Sequence, residues 1–273
     1  MSSPLSHQVP SGTAAVDSVR TKSAESTTNV RGVKATLLVA AAGKGSRMGG
    51  EIPKALTKVN NRFLIEISTK VLVKAAQTVV VVISPTQRGY FEESLPQLHG
   101  IPVTYVEQSL PNGTTGAVLA GLETVSTDWT IVVWADHIGA SYMDVDWLDA
   151  TMRRSTSDIC LPLIELPTPY VYFDLDENGR PSAFHETRKG ACRIDRGLSD
   201  CGTFLLRTDP VRRAIGLFYD AALQDQNFLS LLPQFVSAGM VIETFMMTDP
   251  KLAVGVNTPF ELAEAGITMT DSE

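Results

Sequence analysis

The sequence predicts an α/β fold, a Rossmann-like three-layer α/β/α arrangement with a mainly parallel mixed sheet. Four short apolar runs have the length and the β-branched content of buried strands: KATLLVAA (34–41), TVVVVIS (78–84), PVTYVE (102–107) and WTIVVWA (129–135). Helical patterns lie between them: RFLIEISTKVLVKAA (62–76), YFEESLPQL (90–98) and TGAVLAGLETV (115–125). Strands that alternate with helices favour a parallel sheet covered on both faces. Such sheets bind ligands at the carboxyl ends of their strands.

The second half of the chain is expected to extend this sheet with mixed strand directions. Its strand-like segments are DICLPLIEL (158–166), YVYFDLDENGRPSAFHET (170–187), CGTFLLRT (201–208) and VIETFMM (241–247). The second segment predicts a β-hairpin that turns at Asn178-Gly179 and forms a lid over the site. Helical patterns cover 210–223 and 228–238.

Composition divides the chain into two parts and excludes several classes of function. Residues 1–33 are rich in Ser and Thr and contain no aromatic residue, which predicts a disordered N-terminal tail. Residues 34–273 are expected to form a single domain. The net charge of −7 argues against nucleic-acid binding, and no apolar run is long enough to span a membrane. The three cysteines form no CxxC motif, so we expect reduced thiols in a cytoplasmic protein. The sequence does not define an oligomeric state.

A glycine-rich loop, AAAGKGSRMGGEIPKAL (40–56), follows the first predicted strand. Glycines at such a position let backbone N–H groups approach a phosphate closely. A dinucleotide-binding GxGxxG loop would need glycine at Met48, and a P-loop would need Lys-Ser or Lys-Thr after Gly50. The chain meets neither condition. The pattern that remains is Gly43-x-Gly45-x-Arg47, followed by Pro53-Lys54; an ordinary strand-to-helix turn is the alternative.

This pattern resembles the signature of the nucleotidyltransferases that activate sugar 1-phosphates, such as the uridylyltransferase domain acting on N-acetylglucosamine 1-phosphate. The resemblance extends over most of residues 34–265. It implies an Mg²⁺-dependent reaction in which an NTP and a phosphorylated small molecule, expected to be a sugar 1-phosphate, give an NDP-sugar and pyrophosphate. It also implies catalytic cations at Arg47 and Lys54. The nucleotide-binding residues that it implies in this loop are Ala42, Gly43, Gly45 and Ser46.

Three further segments resemble parts of the same family. QSLPNGTTGAVLAGL (108–122) corresponds to the base-binding segment, which implies nucleotide contacts from Gln108, Gly113 and Thr114; a helix N-cap at Thr114 or Thr115 is the alternative. TIVVWADHIGA ends a predicted strand at Asp136, and LAVGVNTPFELAEA contains Asn257 before a helix. The resemblance implies that these two residues bind Mg²⁺. The alternatives are a capping role for Asp136 and a helix N-cap at Asn257 or Thr258.

The acceptor side departs from the family pattern. FHETRKG places Glu186 where the N-acetylglucosamine enzymes have a sugar-contacting glutamate. The family's Asn-Thr-Gly element reads Asp200-Cys201-Gly202 here, so Asp200 and Gly202 are the corresponding acceptor residues and the sugar is left open. Aromatic residues in this region either pack within strands or surround a quaternary amine. His137 is either a group that supports the metal site or a surface imidazole.

Three alternatives remain open. A cytidylyltransferase acting on phosphocholine or a phosphonate lies within the same family. A GT-A glycosyltransferase would use an Asp-x-Asp metal motif, for which Asp144-Val145-Asp146 fits, although MDVDWLDATMRRS predicts a helix there. A non-catalytic regulator could bind nucleotide on the same fold. The chain ends soon after PFELAEAG, so we expect no C-terminal acyltransferase domain of the kind that bifunctional sugar enzymes carry.

Overall fold

The computed structural model describes residues 33–43, 52–220, 222–223 and 225–270, without the side chains of Arg188 and residues 265–270. The predicted tail therefore lies outside the described residues, apart from Val33. The strands are β1 Ala35–Ala40, β2 Lys58–Val59, β3 Arg62–Phe63, β4 Thr78–Ile83, β5 Gln97–Leu98, β6 Ile101–Glu107, β7 Trp129–Trp134, β8 Ile159–Pro167, β9 Val171–Leu175, β10 Pro181–Glu186, β11 Arg196–Asp200, β12 Thr203–Arg207 and β13 Ile242–Met247. The α-helices are α1 Leu64–Thr69, α2 Arg88–Ser94, α3 Gly113–Leu122, α4 Val145–Arg154, α5 Thr208–Phe218, α6 Leu232–Ser237 and α7 Pro259–Thr270.

One mixed sheet organises the part of the chain that the structure describes. Its strand order is β10-β9-β11-β8-β12-β7-β1-β4-β6-β5, and β13 pairs with β8. Strands β7, β1, β4 and β6 are parallel to one another. Strands β12, β8, β11, β9 and β10 continue the sheet in antiparallel pairs. The predicted fold is therefore confirmed, with the parallel strands in the first half and the mixed extension in the second.

Apolar side chains pack on both faces of the central strands. In β1, Leu37 and Val39 join the core on one face, while Leu38 joins the core on the other, and all three are fully buried. A strand buried on both sides is a continuous apolar run, since alternate side chains point to opposite faces. This double coverage explains why the sequence of β1 lacks an alternating pattern.

Several predicted helices are shorter in the structure. In the second half of the chain, α5 ends at Phe218, and α6 follows a 3₁₀ turn at Phe228–Leu231. The segment 62–76 contains a two-residue strand, the short helix α1 and a 3₁₀ turn at Leu72–Ala75. The hydroxyl of Thr69 donates to the carbonyl of Ile65 at 2.5 Å, and such local bonds compete with continued helix. In the segment 90–98 the helix ends at Ser94, and Leu95 precedes a proline. A proline disfavours helical backbone at the residue before it.

The predicted hairpin is formed by β9 and β10. The Gly179 N–H donates to the Asp176 carbonyl at 2.9 Å, and Gly179 has a φ of +75°. The turn at Asn178-Gly179 is therefore confirmed. The residues at the open end of the hairpin, Tyr170, Val171 and Glu186, line the cavity described below.

No helix among the described residues has both the length and the apolar character needed to cross a membrane.

Candidate active site

Three predicted site segments meet at one edge of the sheet because they follow parallel strands. Ala42 and Gly43 come after β1, Gln108 directly follows β6, and Asp136 lies two residues beyond β7. The carboxyl ends of parallel strands share an edge, so these residues approach one another although the sequence separates them widely. Gly45, Ser46 and Arg47 were also predicted for this edge, and they lie outside the described residues.

Lys54 joins the two predicted metal ligands. Its ammonium forms a short ion pair with Asp136 Oδ2 and donates to Asn257 Oδ1 at 3.3 Å. The Lys54 side chain is only 13% exposed, whereas that of Asp136 is 32% exposed. The carboxylate and the amide oxygen therefore converge on one positive charge at the carboxyl edge of the sheet.

The hydrogen bonds around Asn257 and Asp144 show which side chains cap the helices that follow them. Thr258 Oγ1 accepts from the N–H of Glu261 at 3.2 Å, and Glu261 Oε2 accepts from the N–H groups of Asn257 and Thr258. This reciprocal pair caps α7 and leaves the Asn257 amide oxygen for Lys54. Asp144 Oδ1 accepts from the N–H of Asp146 at 2.8 Å, so it caps α4. Asp144 thus has a structural role where a glycosyltransferase would bind metal.

The predicted base-binding segment forms the start of α3. Gln108 Nε2 donates to Asn112 Oδ1 at 2.8 Å and to the Gly113 carbonyl at 2.9 Å. Gly113 has a φ of +86°, and a Cβ there would overlap the backbone of Gln226. The helix begins at Gly113, and the Thr114 hydroxyl accepts from the Phe228 N–H at 2.8 Å instead of capping α3.

Sequence reasoning missed the segment that supports this loop. The carbonyl of Gln226 accepts from the Thr115 N–H at 3.0 Å, and the N–H of Gln226 donates to the Asn112 carbonyl at 3.1 Å. Asn227 Oδ1 lies 3.4 Å from the Thr114 hydroxyl and also lines the cavity. No motif marks these residues. Their contacts are mostly made through backbone atoms, and their partners are more than a hundred positions away in the sequence.

A cavity of about 510 Å³ opens beside Asp136 and Asn257. It extends along the second half of the sheet, where Glu186 and Asp200, two of the residues predicted to contact the acceptor, line it. Four carboxylates and no lysine or arginine occur among the described lining residues; the carboxylates belong to Asp136, Glu186, Asp200 and Glu261. Gly202 is absent from the described lining and packs instead against the ring of His137.

The acidic residues differ in how well they are paired. Asp200 is buried, and burial raises the pKa of its carboxyl group, against the opposing effects of His137 and the Gly202 N–H. The Gly202 N–H donates to Asp200 Oδ2 at 2.8 Å. Glu186 Oε2 is buried without a hydrogen bond, and its ion pair with the half-exposed Lys189 is long, at 3.4 Å. Glu186 therefore has an acceptor oxygen left for a ligand.

The three cysteines are free, as expected; Cys160 and Cys201 are buried and Cys192 is exposed. Burial raises the pKa of Cys160 to about 11 and that of Cys201 to about 12. Such thiols stay protonated at neutral pH and are poor nucleophiles. The buried cysteines therefore belong to the core.

The sheet order and the carboxylate after β7 define an α/β domain with a candidate site at the carboxyl edge of its parallel strands. The model of the MobA-like NTP transferase domain family matches residues 37–188, which is more than half of the chain. The chain therefore belongs to this family.

Relatives and solved structures agree with this assignment. The bifunctional protein GlmU of Methylococcus capsulatus is 28% identical over 242 residues, which are 83% of this chain and 49% of that protein. The chain spans about half the length of the curated relatives it matches. The inositol-1-phosphate CTP transferase from T. maritima superposes with a TM-score of 0.66 at 18% identity, covering 88% of this chain and 97% of that one. HddC from Yersinia pseudotuberculosis, complexed with GMP-PN, has a TM-score of 0.63 at 18% identity, covering 86% and 99%.

Proposed function

We propose that the protein is an Mg²⁺-dependent nucleotidyltransferase of the EC 2.7.7 type that couples an NTP with a phosphorylated small molecule, with a sugar 1-phosphate as the first candidate. The observation that carries the proposal is the convergence of Lys54, Asp136 and Asn257 at the carboxyl edge of the sheet. Membership of the NTP transferase family and the similarity to GlmU proteins support the same class of reaction.

The donor set fits a magnesium ion. Asp136 Oδ2 and Asn257 Oδ1 are hard oxygen ligands, and both contact the Lys54 ammonium, so a cation placed between them has a carboxylate and an amide oxygen within reach. No group of three or more His, Cys, Asp or Glu side chains that could hold a metal occurs among the described residues. A site with so few protein ligands suits an ion that takes its other ligands from phosphates and water. When bound, the ion would neutralise the phosphates and polarise the attacked phosphorus.

The chain's own residues would position the two substrates. The attacking group is a phosphate oxygen of the acceptor, which is already anionic, so no general base is needed. Lys54 would neutralise charge at the α-phosphate or the acceptor phosphate, and Arg47 would bind the triphosphate. Gly43 lies three residues beyond β1 and is exposed, and its N–H would contact a phosphate. Gln108, Gly113 and Thr114 would hold the nucleobase, with the pyrophosphate leaving in line with the attack.

A second candidate acceptor carries an amine, as phosphocholine and aminoalkyl phosphonates do. The carboxylate-rich lining favours it, because Glu186 has a buried oxygen without a hydrogen bond and the described lining offers no lysine or arginine. The rings of Trp134 and Tyr170 line the same cavity, and aromatic faces attract quaternary amines. With such an acceptor the enzyme would be a cytidylyltransferase, as proposed from sequence.

Pyrophosphate release tests both candidates. The full chain is incubated with Mg²⁺, each of ATP, CTP, GTP, UTP and dTTP, and a panel of sugar 1-phosphates, phosphocholine and 2-aminoethylphosphonate. Activity with a sugar 1-phosphate supports the first candidate, and activity restricted to amine-bearing acceptors supports the second. Release in the absence of any acceptor, or no release with any pair, would contradict the proposal.

Glu186→Gln separates the two candidates further. Loss of the negative charge should raise KM for an amine-bearing acceptor on the order of tenfold or more, because a charge-assisted contact is lost. A hydroxyl group can donate to the glutamine carbonyl, so KM for a sugar 1-phosphate should change less. Glu165→Gln provides the control, since Glu165 pairs with the exposed Arg196 and is absent from the cavity lining.

A further inference from the structure

The residue after Asp136 bridges the two segments that carry the proposed metal ligands. His137 Nε2 lies 2.9 Å from the carbonyl oxygen of Leu252, and Leu252 lies in the segment that leads to Asn257. A carbonyl oxygen only accepts hydrogen bonds, so Nε2 carries the proton and donates. Three hydrogen bonds join these two segments among the described residues, and this is the one that a side chain makes.

The other two links are backbone bonds on either side of the imidazole. The Gly139 N–H donates to the Val254 carbonyl at 2.8 Å, and the Val256 N–H donates to the Asp136 carbonyl at 2.9 Å. Leu252 is buried, and its carbonyl oxygen packs against Gly139. Together the three bonds hold the backbone next to Asn257 against the backbone of Asp136.

The imidazole is itself held in place. A Cβ built on Gly202 would overlap the ring of His137, so the absence of a side chain at Gly202 makes room for it. A Cβ on Gly255 would lie 3.5 Å from His137 Nδ1 and 3.7 Å from Asn257 Nδ2, which places the ring beside the asparagine. The ring therefore lies between the β11–β12 turn and the segment of Asn257, with little freedom to rotate.

We propose, on the basis of the divalent-ion site in the proposed function, that His137 is a positioning residue that fixes Asn257 relative to Asp136 and so sets the affinity of that site. The two ligands are 121 positions apart in the sequence and belong to separate segments, so their spacing depends on what joins those segments. Groups that orient metal ligands typically change metal affinity by 10- to 100-fold when removed.

The test measures the affinity of the full chain for Mn²⁺. Water-proton relaxation reports the binding, without acceptor and in the presence of each NTP. His137→Leu keeps an apolar side chain of similar bulk and removes the donor, and it should weaken Mn²⁺ binding by roughly 10- to 100-fold. His137→Gln places a side-chain N–H at a similar distance from the backbone and should restore the affinity to within about threefold of wild type. Rescue by glutamine would not follow from a role in core packing alone.

His99→Leu is the matched control. His99 Nε2 lies 2.9 Å from the Glu66 carbonyl, so this variant removes the same type of bond at the same length, away from the site. It should leave Mn²⁺ affinity unchanged. Equal affinity in His137→Leu and wild type would overturn the proposal for His137 while leaving the metal site intact. Absence of Mn²⁺ binding by wild type would instead overturn the proposed metal site, and the role of His137 with it.

Gly202→Ala tests the same geometry if His137→Leu does not fold. The added methyl group would displace the ring without removing its donor, and it should also weaken Mn²⁺ binding. Gly239→Ala controls for backbone strain, because Gly239 has a φ of +89° and open space around it. Unchanged affinity in a folded Gly202→Ala would contradict the proposed positioning role.

Discussion

The two halves of the sheet meet at the site with opposite chemistry. The parallel half brings a cation, Lys54, which is paired with Asp136, whereas the antiparallel half brings the carboxylates of Glu186 and Asp200 and the ring of Tyr170 to the cavity. The family match covers residues 37–188 and ends near Glu186. The match therefore covers the strands of the parallel half together with β8, β9 and β10, while Asp200 and Asn257 lie beyond it. In the proposed function, the class of reaction is argued from residues of the parallel half, and the choice of acceptor is argued from residues of the antiparallel half.

Asp136→Asn should have the largest effect, because it removes the only carboxylate that contacts Lys54 among the described residues. We expect kcat to fall on the order of 10²-fold or more, since an ion that stabilises phosphate charge contributes several kcal/mol. The measurement is pyrophosphate release with the best NTP–acceptor pair, with and without EDTA. Chelation should abolish wild-type activity.

Asp144→Asn is the control for this change. Asp144 caps α4 from an exposed position, and asparagine is an equally good cap, so activity should be retained. Loss of activity in Asp144→Asn together with retention in Asp136→Asn would favour the glycosyltransferase alternative. Full turnover of wild type without a divalent ion would contradict the metal assignment.

Lys54→Met should separate metal binding from catalysis. The ammonium lies between the two proposed metal ligands, so its removal should strengthen Mn²⁺ binding to the nucleotide-free protein. It should also lower kcat on the order of 10²-fold, as a charged donor is lost from a preorganised site. Arg47→Ala, by contrast, should raise KM for the NTP as well as lower kcat, which would sharpen the division of labour between the two cations.

Lys58→Met serves as the control for Lys54, because Lys58 is an exposed lysine whose ammonium lies over the ring of Phe63. Its Mn²⁺ affinity and kcat should match wild type. Weaker Mn²⁺ binding in Lys54→Met than in wild type would show that the ammonium does not compete for the two oxygens.

Within the parallel half, the strands were predicted better than the helices. Buried parallel strands are continuous apolar runs, so β1, β4 and β7 can be recognised without any tertiary information. Strand β6 was predicted too, although its residues are partly buried or exposed. The segment 62–76 was predicted less well, because its apolar spacing fits a helix while the hydroxyl of Thr69 and the β-branched Val71 and Val73 weaken one. The proline after Leu95 explains the early end of α2 and was visible in the sequence.

Single residues of the candidate site could be predicted from the sequence, but the contacts that hold them together could not. Loop glycines and strand-end carboxylates have local signals, and they led to Gly43, Asp136 and the region of Asn257. The bond of His137 to Leu252 spans 115 positions, and the support of Gly113 by Gln226 uses backbone atoms. Neither contact leaves a pattern in the residues, because one backbone carbonyl is chemically the same as any other.

Gly113→Ala should weaken nucleotide binding through the backbone. A side chain at a φ of +86° is strained by about 1–3 kcal/mol, and here the added Cβ would also overlap the backbone of Gln226. We expect a lower Tm and a higher KM for the NTP. Gly100→Ala is closely matched, with the same φ of +86° and nothing within 4 Å of the added Cβ. Equal KM values in the two variants would show that contact with Gln226 does not shape the nucleotide site.

Asp200→Asn should have the smallest effect, one that depends on pH. Burial raises the pKa of Asp200 above its usual value of 3.8, so between these two values the folded state holds more protons than the unfolded state. The free energy of unfolding of wild type should therefore fall as pH rises through this window. Asparagine does not titrate and still accepts from the Gly202 N–H. The Tm of Asp200→Asn relative to wild type should increase from pH 4 towards pH 8, on the order of a few degrees. Thermal unfolding across this range measures the difference. A Tm difference that does not change with pH would contradict this expectation. It would indicate that His137 and the N–H donors offset the cost of burying the Asp200 charge.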